Sequence, residues 1–122
     1  MPAFLLRAPA PLLVMALIFY LSAQSDPGPD LPAIARIPAH FLEYAFLTLA
    51  WAWALSPIVA RPALPAALIS FVYAITDEYH QSFVAGRESD PLDVLVDTAG
   101  IALAAWLVSR RQNLAKRAQK GR

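Results

Sequence analysis

The segment from Asp77 to Arg87, DEYHQSFVAGR, places two acids, a histidine, a glutamine and an arginine within eleven residues. These side chains could perform acid–base chemistry, because a histidine changes its charge near neutral pH and a neighbouring carboxylate can orient it. The arginine could hold a phosphate or a carboxylate through two parallel hydrogen bonds. The same acids could also form a solvated helix end, so the elements that position them must be identified first.

Similar side chains recur at helical spacing in two other parts of the chain. His40, Glu43 and Tyr44 are spaced i, i+3 and i+4, which places them on one face of a helix. Asp93 and Asp97 follow the same rule further along the sequence. These spacings indicate that each helix has one polar face and that the polar faces pack against each other.

The composition is typical of a membrane protein. The chain has 122 residues, of which 58% are hydrophobic and 16% are charged, and its mean hydropathy is +0.48. A soluble domain of this size could not bury so much apolar surface, because small domains keep a large fraction of their surface exposed. The chain contains no cysteine, which excludes disulfides, thiolate catalysis and cysteine-based metal sites.

Four apolar segments are long enough to approach the span of a bilayer, and helices are the expected structure because lipid offers no partners to backbone groups. The predicted fold is an all-α, four-helix transmembrane bundle with short loops and prolines near the segment starts. Residues 1–109 are predicted to form the transmembrane domain, and residues 110–122 a basic cytoplasmic tail. The four segments are Ala8 to Ala23, Pro38 to Leu55, Pro62 into the DEYHQ stretch, and Leu92 to Ser109.

The distribution of lysine and arginine predicts the orientation. The residues after Ser109 include six basic side chains, so this end is expected in the cytoplasm. Four crossings then place the N-terminus with Arg7, and the loop at Arg61, on the same side. The acidic residues fall in the outer loops or in the helix ends that lead to them. The alternative for the first segment is a cleaved signal peptide.

The polar residues therefore lie at similar predicted depths, and a single polar pocket open toward the outer leaflet would satisfy them all. The candidates for acid–base roles are His80, Asp77, Glu78 and His40. The candidates for ligand binding are Arg87, Gln81, Glu43, Tyr44, Asp93, Asp97, Ser22, Gln24 and Arg36. Whether a metal or another cofactor binds is left open.

Each candidate also has a structural explanation. Either histidine could bond only to backbone carbonyls, and Asp93 could cap the fourth helix. Arg87 could anchor the chain to lipid phosphate. Gly100 is expected to permit close helix packing.

Three sequence blocks, FYLSAQS, RIPAHFLEYAFL and YAITDEYHQSFVAGRESDPLDVLVDTAG, resemble those of VanZ-like membrane proteins, a family named for an accessory protein of teicoplanin resistance. The resemblance covers residues 19–100. The chain departs from the family pattern at Ile37, where a basic residue is common, at Ala85, where proline is usual, and at Ala104, where glycine is usual. The resemblance implies a small helical bundle in the bacterial cytoplasmic membrane. It implies no established reaction, and glycopeptide resistance belongs to a few relatives only.

Two classes of function fit these residues. In the first, the pocket binds an anionic cell-envelope ligand or lipid head group, with membrane lipids as partners. In the second, the chain is an enzyme that acts on a lipid-linked or phosphate-containing envelope substrate, with or without the help of a divalent metal. A proton-coupled transporter fits less well, because four short helices contain no repeat for alternating access. No nucleic-acid partner is expected for the basic tail.

Overall fold

The computed structural model describes residues 2–23, 33–85 and 90–121, with the backbone alone of residues 33–35. In these ranges the chain is helical and contains no strand, which confirms the all-α prediction. The helices are α1 (Pro2–Arg7), α2 (Pro9–Ser22), α3 (Ala33–Leu55), α4 (Ala63–Gln81) and α5 (Pro91–Lys120).

The first predicted segment begins earlier than expected. It was expected to start at Ala8, but α1 precedes it, and Ala8 itself keeps right-handed helical angles of φ −55° and ψ −34°. Pro9 and Pro11 lack the N–H groups that would have closed the hydrogen bonds at this point, which divides one rod into two helices. Together, Pro2–Ser22 forms a run of 21 residues.

The other helices also extend beyond the predicted segments. Pro38 lies inside α3 rather than at its start, because a proline near the N-terminus of a helix removes only one backbone hydrogen bond. α5 continues unbroken through Ser109, where the sequence changes from apolar to basic, since alanine, arginine, glutamine and lysine are all good helix formers. Asp90 caps this helix by accepting a hydrogen bond of 2.9 Å from the backbone N–H of Leu92.

The most extensive helix packing in the described chain is between α3 and α5, and Gly100 lies in this contact. A Cβ at this position would collide with the carbonyl oxygen of Phe41 and would lie 3.1 Å from its carbonyl carbon and 3.3 Å from the nitrogen of Ala45. The expectation that Gly100 permits close packing is therefore confirmed. α4 packs against both helices, and α2 packs against α3 and α4.

The surface of the bundle is apolar and part of its interior is polar. Large exposed side chains such as Leu13, Leu42, Phe46, Leu68 and Leu95 face outward from four helices. Among the described residues, the buried polar and charged side chains are Ser22, His40, Thr48, Ser70, Asp77, Gln81, Asp93 and Asp97. Soluble proteins rarely expose so much contiguous apolar surface, whereas lipid favours this arrangement.

By length and hydropathy, two runs of the described chain could cross a membrane, namely Pro2–Ser22 and Pro91–Lys120. The second contains 30 residues and is therefore about 45 Å long, which exceeds the hydrocarbon core of a bilayer. If the apolar N-terminal part of this run crosses the bilayer, its basic C-terminal turns extend beyond the hydrocarbon core.

Candidate functional site

The first part of the site lies between the N-terminal halves of α3 and α5. Nδ1 of His40 is 3.1 Å from an oxygen of Asp97, and Nε2 of the same ring is 3.9 Å from Oδ2 of Asp93. Arg36, one turn earlier on α3, reaches the same Asp93 oxygen at 3.4 Å. A chain of charged groups therefore runs from the partly exposed Arg36 inward to the buried Asp97.

The second part joins α3 to the C-terminal half of α4. The hydroxyl of Tyr44 donates to Oδ2 of Asp77 at 3.0 Å, and the amide nitrogen of Gln81 approaches the same oxygen at 3.4 Å. Both donors thus converge on one oxygen of a carboxylate. The other oxygen, Oδ1, is buried without a hydrogen-bond partner among the described residues, and so is Oε1 of Gln81.

Tyr44 connects the two parts. It follows His40 by one helical turn, and both Asp77 and Asp97 are near enough to act on it electrostatically. The two carboxylates also act on each other. We call this connected set the polar cluster, and its members are Arg36, His40, Tyr44, Asp77, Gln81, Asp93 and Asp97.

His80 lies in a different environment, although it is only three residues from Asp77. Its Nδ1 is 3.2 Å from the hydroxyl of Ser22 on α2, and its ring stacks on Phe19 with the ring centres 4.4 Å apart. Two turns earlier on α4, at the same interface with α2, the hydroxyl of Tyr73 donates to the carbonyl of Met15 at 2.6 Å. His80 and Ser22 therefore help to attach α2 to α4, and the structure places neither in a hydrogen bond with the polar cluster.

The two candidate glutamates, Glu43 and Glu78, line grooves on the outside of the bundle. Glu43 lies in an apolar groove of about 530 Å³ between α2 and α3, beside Leu17, Leu42 and Phe46. It is nevertheless near enough to His40 to act on it electrostatically. Glu78 lies in another groove, between α4 and α5. Gln24 and Arg87 fall outside the described residues.

Sequence reasoning missed three polar residues. Thr48 and Ser70 are fully buried in the middle of α3 and α4, and Asp90 caps α5. Ser70 could have been found, because it precedes Asp77 by seven residues and therefore shares its helical face. Asp90 also precedes a proline and the apolar run of α5, which is a common sign of a helix start.

The cluster can hold hydrogen-bond donors and orient an imidazole. Asp97 contacts Nδ1 of His40, which leaves Nε2 facing Asp93 and the partly exposed Arg36 that contacts it. For a metal the arrangement is less suitable, since no three His, Asp or Glu side chains converge on one point within residues 2–23, 33–85 and 90–121. The geometry thus favours binding or proton transfer by side chains.

Comparison with known protein families matches residues 10–112 to VanZ/LLP1. The matched range includes the whole polar cluster, the α2–α4 contact at His80 and the glycine at the α3–α5 crossing. The comparison with curated proteins and the comparison with solved structures each give no match. Family membership and two apolar helical runs of spanning length together indicate a membrane protein. Since the match covers most of the chain, the chain belongs to the VanZ/LLP1 family.

Proposed function

We propose that this chain is a multi-pass protein of the bacterial cytoplasmic membrane that binds the anionic part of an envelope lipid or of a related ligand at the polar cluster. The single observation that supports this most strongly is the distribution of polarity, which is the reverse of that in a soluble protein. A buried set of charged side chains occupies one end of a bundle whose outer surface is apolar. Charged groups inside membrane bundles are expensive, and they usually face a binding site or a watery cavity.

The basic residues support an orientation. At the end opposite the polar cluster, Arg7 donates to the carbonyl of Trp53 at 3.0 Å and to the hydroxyl of Ser56 at 2.9 Å. Arg61 contacts Asn113 at 3.0 Å, beside the basic turns of α5. Lysine and arginine are enriched on the cytoplasmic side of membrane proteins. In the proposed topology both termini are cytoplasmic and the polar cluster opens near the outer leaflet.

Arg36 is the group that would hold the anion. Its side chain is 37% exposed, and its contact with Asp93 is long, at 3.4 Å. A guanidinium carries five N–H donors, so an incoming phosphate can bind the exposed part of Arg36 while the buried Asp93 keeps its contact. The planar guanidinium also suits two parallel hydrogen bonds to phosphate.

The test is a titration of the purified full-length protein in detergent with a short-chain phosphatidylglycerol, followed by calorimetry. Arg36→Ala should weaken binding at least about tenfold, because a charged hydrogen bond contributes roughly 1.5–3 kcal/mol. Arg61→Ala is the matched control, since it removes an exposed arginine from the opposite end. Equal affinities of the two variants would contradict the proposal.

The pairing of His40 with Asp97 favours a second candidate function, an enzyme that acts on a lipid-linked phosphate substrate. A carboxylate on one ring nitrogen orients the other nitrogen for proton transfer. In that case the purified protein should release phosphate from a polyprenyl diphosphate, and His40→Gln should abolish the release while the protein still folds. A wild-type protein without turnover, but with Arg36-dependent binding, would favour the binding function.

A further inference from the structure

The inner end of the polar cluster holds more negative than positive charge. Asp77, Asp93 and Asp97 are buried there, and the described residues that contact them supply the arginine Arg36 and the imidazole of His40. Even with His40 protonated, three carboxylates face two positive charges. A buried charge without a partner costs several kcal/mol, and the described residues supply no third positive group at this end.

The unsatisfied atoms show where that group would lie. Asp77 is 6% exposed and Gln81 is 2% exposed, and each has a buried oxygen that accepts no hydrogen bond. The two residues are one helical turn apart on α4, and the amide nitrogen of Gln81 already points to Oδ2 of Asp77. The orientation of this amide is fixed, because a flipped amide would place its oxygen against Oδ2 of Asp77, and two acceptor oxygens repel each other. Both unsatisfied atoms are therefore acceptors that lack a donor or a cation.

We infer that Asp77 and Gln81 form the binding site for a monovalent cation, with an ammonium group as the best match. An ammonium group supplies a positive charge together with N–H donors for Oδ1 of Asp77 and Oε1 of Gln81. One carboxylate and one amide oxygen are few ligands for Ca²⁺ or Mg²⁺, which require about six or more oxygens. Tyr44 donates to Oδ2 of Asp77, which leaves Oδ1 for the cation.

This site is separate from the proposed anion site. Arg36 precedes Tyr44 by eight residues on α3, which is about 12 Å along the helix, so the two subsites lie at different depths. Failure of anion binding at Arg36 would not affect the cation site. The ammonium could come from a lipid head group or from a free amine, and the two sources share the same chemistry at Asp77.

The experiment compares the thermal midpoint of the purified full-length protein in ethanolamine, sodium and choline chlorides at one ionic strength. Ethanolamine at five times its Kd should raise the midpoint by about 4 °C, and choline, which lacks N–H groups, should raise it less. An equal rise in sodium would assign the site to an inorganic cation. The same rise in all three salts, or in none of them, would overturn the inference.

Two variants locate the effect. Asp77→Asn keeps the shape of the side chain and removes its charge, so the specific rise in midpoint should disappear. Asp90→Asn is the matched control, because it removes one carboxylate while asparagine still caps α5, and it should keep the full rise. A rise that persists in Asp77→Asn would place the cation elsewhere and would overturn the inference.

The lipid source is tested in nanodiscs. If a lipid head group is the ligand, discs containing phosphatidylethanolamine should raise the midpoint of the wild type relative to phosphatidylcholine discs, and Asp77→Asn should remove this difference. If only free ethanolamine raises the midpoint, the ligand is a free amine. The site itself would then stand, and so would the separate result for Arg36.

Discussion

The two histidines of this chain lie near the same end of the bundle, yet the structure gives them different surroundings. His40 is buried between α3 and α5, and carboxylates face both of its ring nitrogens. His80 is partly exposed, bonds to the hydroxyl of Ser22 and stacks on Phe19. The first is thus part of a charged network, and the second is part of a helix–helix contact. Residue type and position in the sequence do not distinguish them, whereas the neighbouring helices do.

Removal of the imidazole of His40 is the most direct test of the difference between the two histidines, and it has the largest expected effect. His40→Ala leaves Asp97 buried beside two other carboxylates, and the free energy of unfolding should fall by roughly 3–5 kcal/mol. The measurement is thermal or denaturant unfolding of the purified protein in detergent, together with its abundance in the membrane.

A paired substitution separates the charge from the packing. The double variant His40→Leu with Asp97→Leu removes both partners of the buried pair and should be more stable than His40→Ala. If the double variant is less stable than the single one, the pair does not act through an uncompensated charge.

The second prediction concerns the crossing that sets the distance between His40 and Asp97. Gly100→Ala pushes α5 away from the backbone of Phe41, the residue after His40. Overpacking of this kind usually costs about 1–3 kcal/mol, and the free energy of unfolding should fall accordingly. The measurement is the unfolding midpoint in detergent.

Gly121→Ala is the matched control for that variant. The nearest atom to a Cβ at residue 121 is 3.6 Å away, which is ordinary contact. Its midpoint should equal that of the wild type or lie slightly above it, because alanine favours the helix more than glycine does. A Gly100→Ala midpoint equal to that of Gly121→Ala would show that the α3–α5 crossing adapts to a methyl group.

The smallest effect is expected at the other histidine. His80→Ala removes one hydrogen bond and one ring contact at a partly exposed position, so the free energy of unfolding should fall by about 1–2 kcal/mol. A cycle with Ser22→Ala should be non-additive, since the second substitution removes the same contact. A loss as large as that of His40→Ala would erase the distinction between the two sites.

Much of the fold follows from local sequence. The apolar runs predict helices, and α4 begins and ends within a residue or two of the expected limits because Pro62 and the polar end of the run mark them. Other helices extend beyond the limits of the predicted segments. Pro38 and Ser109 mark changes of residue type but do not stop a helix, because a change of residue type ends an apolar run without ending the backbone hydrogen bonds of the helix.

The candidate site shows the same division. Helical spacing alone places His40 with Tyr44, and Asp93 with Asp97, on single faces, because the helix fixes these neighbours. It also predicts that the polar faces are costly in an apolar chain and must find partners. Which partner each group finds depends on helix rotation and on the distance between axes, and these are set by tertiary packing.

The sequence by itself determined that this protein is a bundle of apolar helices with polar residues gathered near one end, since composition and period depend only on neighbours in the chain. Only the tertiary structure decided that Asp97 faces His40, that Tyr44 faces Asp77, and that His80 faces Ser22. The close approach of α3 and α5 at Gly100 fixes the rotation that brings the first pair together. Contacts between distant residues follow from that packing geometry, which no local pattern encodes.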